Sequence, residues 1–142
     1  SWKPDEGENR YRRGLYTFFW RATPHPSLTV FDSPDAFSTC SRRLRSNTPL
    51  QALTLLNDPA FFEIASALAT RITNLECESD QSRIRESFRI CLGRYPSRKE
   101  TKQLLLSLDQ AVALNQNEPR PLVKWTFLSR ILLNLDETIT RE

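Results

Sequence analysis

The sequence predicts an all-α fold: a compact bundle of about five to six helices, with a long irregular, proline-rich N-terminal segment packed on it. Three observations carry this. Leucine occurs twenty times against three glycines, a balance that suits helices joined by short connections. Capping residues and prolines stand directly ahead of most apolar stretches, where helices begin. No Asn-Gly or Asp-Gly pair is present to turn a β-hairpin.

Ser1–Asn9 is polar and is expected to fray, leaving 10–142 as one helical domain. Tyr11–Arg21 spaces Leu15, Phe18 and Phe19 as a short helix would. Thr23–Pro34 holds Pro24, Pro26 and Pro34, whose fixed φ and missing donors predict an extended connection, pinned to the core by Leu28, Val30 and Phe31. Asn47 or Thr48 can cap a helix that has Pro49 at its first position and runs over Leu50–Leu56. Asn57 and Asp58 end it, and Asp58-Pro59 opens another to about Thr73, with Phe61, Ala65, Leu68 and Ile72 on one stripe. Asp80 can cap the next helix, which turns Ile84, Phe88, Cys91 and Leu92 inward and stops at Gly93. Ser97 and Glu100 form a capping box. The helix behind them presents Leu104, Leu105, Leu108, Ala111 and Val112. Pro121 enters the last helix, which Asp136 and Glu137 end. Its apolar residues (Val123, Trp125, Leu128, Leu132 and Leu135 among them) cover more than one face, so Pro121–Leu135 is expected at the centre.

The 142 residues are 39% hydrophobic and 26% charged, which excludes a disordered, collagenous or membrane chain. No apolar run reaches the roughly 18 residues a bilayer span needs. No basic-then-apolar leader follows Ser1, so a mature chain or a fragment is expected. The net charge of +3 lies entirely in residues 1–48. Between Arg10 and Asn47, seven arginines (Arg10, Arg12, Arg13, Arg21, Arg42, Arg43, Arg45) face only Asp32 and Asp35. Such a surplus suits an anionic partner, or the acidic ends of the following helices. With Tyr11, Tyr16, Phe18, Phe19, Trp20, Phe31 and Phe37 interleaved, docking on the chain's own domain is the reading adopted.

Most catalytic signatures are missing. His25 is the single histidine, and Cys40, Cys77 and Cys91 have neither zinc-site nor haem-attachment spacing, so no metal or cofactor is expected within these residues. Gly7, Gly14 and Gly93 are too far apart for a phosphate loop, and no nucleophile elbow occurs. Three cysteines cannot all pair, and Cys91 reads as a buried thiol. Asp32-Ser33-Pro34-Asp35 reads as a turn before it reads as a carboxylate pair. The densest polar run is Arg42-Arg43-Leu44-Arg45-Ser46-Asn47-Thr48-Pro49-Leu50-Gln51. Its arginines precede a helix N-terminus, where they suit a phosphate, sulfate or carboxylate. The reading adopted is structural: Arg42, Arg43 and Arg45 pair with domain acids such as Asp32, Asp58 or Glu137, while Asn47 and Gln51 tie irregular backbone to helices.

Arg12-Arg13-Gly14-Leu15-Tyr16-Thr17-Phe18-Phe19-Trp20-Arg21-Ala22-Thr23, Phe31-Asp32, Cys40, the run from Ser46 to Asp58, Leu92-Gly93-Arg94-Tyr95-Pro96 and Leu132–Glu137 together resemble a known family. It is the C-terminal planctomycete-specific domain of unknown function, family fifteen-fifty-three, and the likeness runs from about Asn9 to Glu142. The resemblance implies a module at the C-terminus of a large exported bacterial protein, with any haem in another domain, and it implies no activity. Its motif positions here are Arg12, Arg13, Arg42, Arg43, Arg45, Asn47, Thr48, Gln51, Asn57, Asp58, Asn134 and Glu137. The family commonly has an aromatic residue where Thr138 stands.

Three functions compete. The one adopted is a non-catalytic accessory module that docks on another domain of the same parent chain. The second is a polysaccharide- or anion-binding module using the arginines and aromatics of the N-terminal region, with Trp2 or Trp20 stacking on sugar rings. The third is an enzyme site shared with another domain, to which Asp32, His25 and the arginines contribute. A net charge of +3 is a small footprint for nucleic acid.

Overall fold

The computed structural model describes residues 5, 7–20, 22–35, 37–42, 46–115 and 119–140. Among them the fold is all-helical, as the sequence predicts, and it divides into two compact units, Ser1–Ser46 and Asn47–Glu142.

The first unit departs from the expected local structure. Among the described residues of the region read as a helix over Tyr11–Arg21, the regular structure is 3-10: the end of a turn at Gly7–Tyr11 and a turn at Gly14–Tyr16. A helix nucleus fixes several residues for one hydrogen bond, and Gly14 adds entropy at the middle of the stretch. The first turn also orders part of the stretch expected to fray. The expected extended connection instead contains a five-residue helix, α1 (Pro26–Val30). His25 caps it: its Nδ1 accepts from the Ser27 N–H at 3.3 Å, and Pro26 occupies the first position, where no donor is missed. None of the described residues in this unit is buried.

The second unit follows its capping signals. Helix α2 (Pro49–Asn57) begins at Thr48, whose side chain and that of Gln51 reciprocally satisfy each other's backbone N–H groups. Asp58 ends α2 and caps α3 (Pro59–Thr73) by accepting from the Ala60 N–H at 2.8 Å. Helix α4 (Asp80–Leu92) starts one residue earlier than expected, because Ser79 rather than Asp80 is the cap and pairs with Ser82. Gly93, at φ 72°, ends it in the left-handed region that a side chain disfavours. Ser97 and Glu100 cap α5 (Arg98–Leu114) as a box. Helix α6 (Arg120–Leu133) stops two residues short of the expected end, at Asn134, and a separate turn, α7 (Asp136–Ile139), follows.

Helix α6 is central: it packs on α3 most extensively, on α5, and on both α4 and α7. The core is Ala69 and Ile72 of α3, Ile84 and Phe88 of α4, Leu108 of α5, and Trp125, Leu128 and Leu132 of α6. Three buried hydroxyls, Ser87, Thr101 and Ser129, each donate to the carbonyl four residues back, so none of these three is stranded. Cys91 lies at the edge of this core and is half-buried, and burial raises its thiol pKa.

Candidate functional site

The densest polar constellation forms where α4 turns into α5. The left-handed Gly93 reverses the chain, so Arg94 leaves the end of α4 beside the start of α5. Glu100 is brought to the same place by its capping role, its Oε2 accepting from the Ser97 N–H at 2.7 Å. Glu137 arrives on α7. Arg94 then uses all five of its N–H donors. Nε and Nη2 grip Glu137 at 2.6 and 2.7 Å, Nη2 and Nη1 reach Glu100 at 2.8 and 3.2 Å, and Nη1 also donates to the Tyr95 carbonyl at 3.2 Å. The guanidinium lies 5.3 Å from the Phe88 ring centre, which ties the clamp to the core.

The electrostatics follow from these contacts. The Arg94 hydrogen bonds, with those from Ser97, hold the Glu100 carboxyl down to about 2. Arg94 likewise lowers Glu137, and both carboxylates raise the arginine's own pKa. With every donor engaged, Arg94 has none left for a ligand. The arrangement fastens α7 to the α4–α5 junction.

A second fastening lies on the same short helix. Asn47, just ahead of α2, donates from Nδ2 to Asp136, whose Oδ1 also accepts from Thr140 Oγ1 at 3.4 Å. Thr138 donates its hydroxyl to the Leu132 carbonyl. That bond holds α7 to the end of α6, and a phenyl ring at this position has no group to make it. An open depression of about 740 Å³ beside α7 is lined by Cys91, Gly93, Asp136, Glu137 and Thr140.

Within the second unit the residues singled out in the sequence are dispersed. Asn47, Thr48 and Gln51 gather at the start of α2, and Glu137 joins Arg94. Asn57 donates to the Leu53 carbonyl of its own helix at 3.0 Å, and Asp58 is a cap. Asn134 ends α6, with its Oδ1 buried and without a partner. Arg12 donates to Asn9 Oδ1 at 2.9 Å, Arg13 precedes the second 3-10 turn, and Arg42 is exposed. Arg43, Arg45 and Trp2 lie outside the described residues. Asp32 sits at φ 48° in a small depression with Phe19, Leu28 and Phe37. Asp35 makes a turn, accepting from the Phe37 and Ser38 N–H groups at 3.0 and 3.3 Å, and these bonds lower its pKa. Arg94 is the principal residue that sequence reasoning missed. Its signal was present: Ser97-x-x-Glu100 places a carboxylate next to the loop that carries it.

A family model described as PSD1, protein of unknown function (DUF1553), matches residues 1–108. The match takes in Arg94 and Glu100 and ends before Asn134 and Glu137. No curated protein and no solved structure matches the chain.

Proposed function

We propose that this chain, which belongs to the PSD1 family of proteins of unknown function (DUF1553), is a helical interaction module that docks on another domain of the larger protein carrying it. The observation that supports this most directly is the inverted pattern of α2. Gln51 is 1% exposed, whereas Leu50 and Leu53 are 56% and 57% exposed and Leu56 also faces outward. Spaced three apart, these leucines share one face of the helix. The same helix contains the longest motif shared with the family resemblance. Phe62 of α3 and Phe127 of α6 are further exposed aromatics of this unit. Moving a leucine side chain out of water is worth about 1.5–3 kcal/mol, so a face of this kind favours a protein partner.

On this reading the carrying protein is bacterial and exported, catalysis and any haem reside in its other domains, and the clamp at Arg94 keeps the docking unit rigid. None of the described helices is long and apolar enough to cross a membrane. The test is a calorimetric titration of the chain with the separately produced domain that precedes it. Saturable binding is expected, weakened at least tenfold in a Leu50→Ser/Leu53→Ser double variant that melts within a few degrees of the parent. No binding, with no loss of stability in the carrying protein when this module is deleted, rejects the reading.

A further inference from the structure

The groove between α4 and α5 holds positive charge that the fold does not use. Arg85 of α4 and Arg98 and Lys102 of α5 line a depression of about 440 Å³, together with Gln81, Tyr95 and Leu105. That volume lies within the range of small-molecule sites, about 300–1,000 Å³. No carboxylate lines it. Elsewhere in the unit, Arg89 pairs with Glu86, Arg94 with Glu100 and Glu137, and Lys124 with Asp80. Among the described residues, Arg85, Arg98 and Lys102 have no ion pair.

Their placement is not explained by helix stability. Arg98 is the first residue of α5, where the positive end of the helix dipole opposes a cation. Lys102 follows one turn later, about 6 Å along the axis, so two like charges stand on the same side of the helix. Arg85, on the facing α4, stacks on the Tyr95 ring of the loop between α4 and α5, its guanidinium carbon 4.2 Å from the ring centre. The ring itself is 50% exposed, and Leu105 adds an apolar wall. Local preference is thus broken in favour of converging charge, a pattern expected where a site is built.

We propose that this groove binds an anionic saccharide, a sugar chain bearing sulfate or carboxylate groups. The planar guanidinium forks of Arg85 and Arg98 match oxyanion geometry. Lys102 adds a point charge, the Gln81 amide suits hydroxyl groups, and Tyr95 with Leu105 offers apolar surface to the C–H face of a sugar ring. The site is separate from the exposed face of α2 and does not depend on the docking reading.

The experiment is a titration of the intact chain with a sulfated oligosaccharide, a carboxylated one, a neutral one and a single-stranded oligonucleotide of similar charge. Binding of the sulfated or carboxylated sugar is expected, weakening as salt is raised. An Arg98→Ala/Lys102→Ala variant is expected to lose at least tenfold in affinity, and Tyr95→Leu several-fold. Lys99→Ala, a charge on α5 outside the groove, is expected to stay within twofold, and melting curves establish that all variants fold. The proposal is overturned if neither anionic sugar binds at low salt, if Lys99→Ala weakens binding as much as the groove variant, or if the neutral sugar or the oligonucleotide binds as tightly.

Discussion

Single residues decide where the helices of the second unit begin. Ser97 supplies the cap of α5 and, through its N–H, orients the carboxylate that Arg94 grips. Ser97→Ala is therefore expected to cost about 1 kcal/mol, in the range of 0.5–2 kcal/mol for a lost cap, read from the urea midpoint at unchanged slope. The clamp has a pH signature of definite sign. Glu100 and Glu137 have carboxyl pKa values below their ordinary ones in the folded chain, so the unfolded chain binds more protons as the solution is acidified. Their stabilisation is complete above the ordinary carboxylate range, near 4.5, and for Glu100 it is lost as pH falls toward about 2. An Arg94→Gln variant is expected to show a shallower fall of melting temperature across that interval, and an unchanged acid limb would contradict the assignment. Caps of this kind are readable in sequence because both partners lie within four residues. Arg94 and Glu137 are 43 residues apart, and Asn47 and Asp136 are 89 apart, so no local pattern announces either pair.

At the scale of elements, α6 is buried as its composition predicts, and α2 turns its leucines outward. Val123, Trp125, Leu128 and Leu132 are buried, and α6 touches four other helices. Leu128→Ala is expected to cost about 2–5 kcal/mol, measured by chemical denaturation, because its site is enclosed and cannot fully collapse. The periodicity of α2 shows where its apolar residues fall on the helix but not which face the fold covers. Here the fold covers the side carrying Gln51, whose capping bonds satisfy part of its amide, and leaves the leucines outside. The segment over Tyr11–Arg21 fails as a helix for the complementary reason. Its spacing is helical, but a short helix in water depends on a buried face, and none of the described side chains, Tyr11–Trp20, is buried.

At the scale of the molecule, the all-helical class and the order of the five longer helices follow from proline, cap and leucine placement along the chain. What the sequence leaves open is the use of the outer surface, because an exposed leucine and a core leucine are the same letter until the packing is known. On the proposed docking, the outward face of α2 is covered in the protein that carries this chain. Amide hydrogen exchange of α2, compared between the isolated chain and the intact carrying protein, tests it most directly. Amides of residues 52–57 are expected to exchange at least tenfold more slowly in the intact protein, and Leu50→Ser/Leu53→Ser is expected to abolish the difference. Equal exchange in the two forms would contradict it.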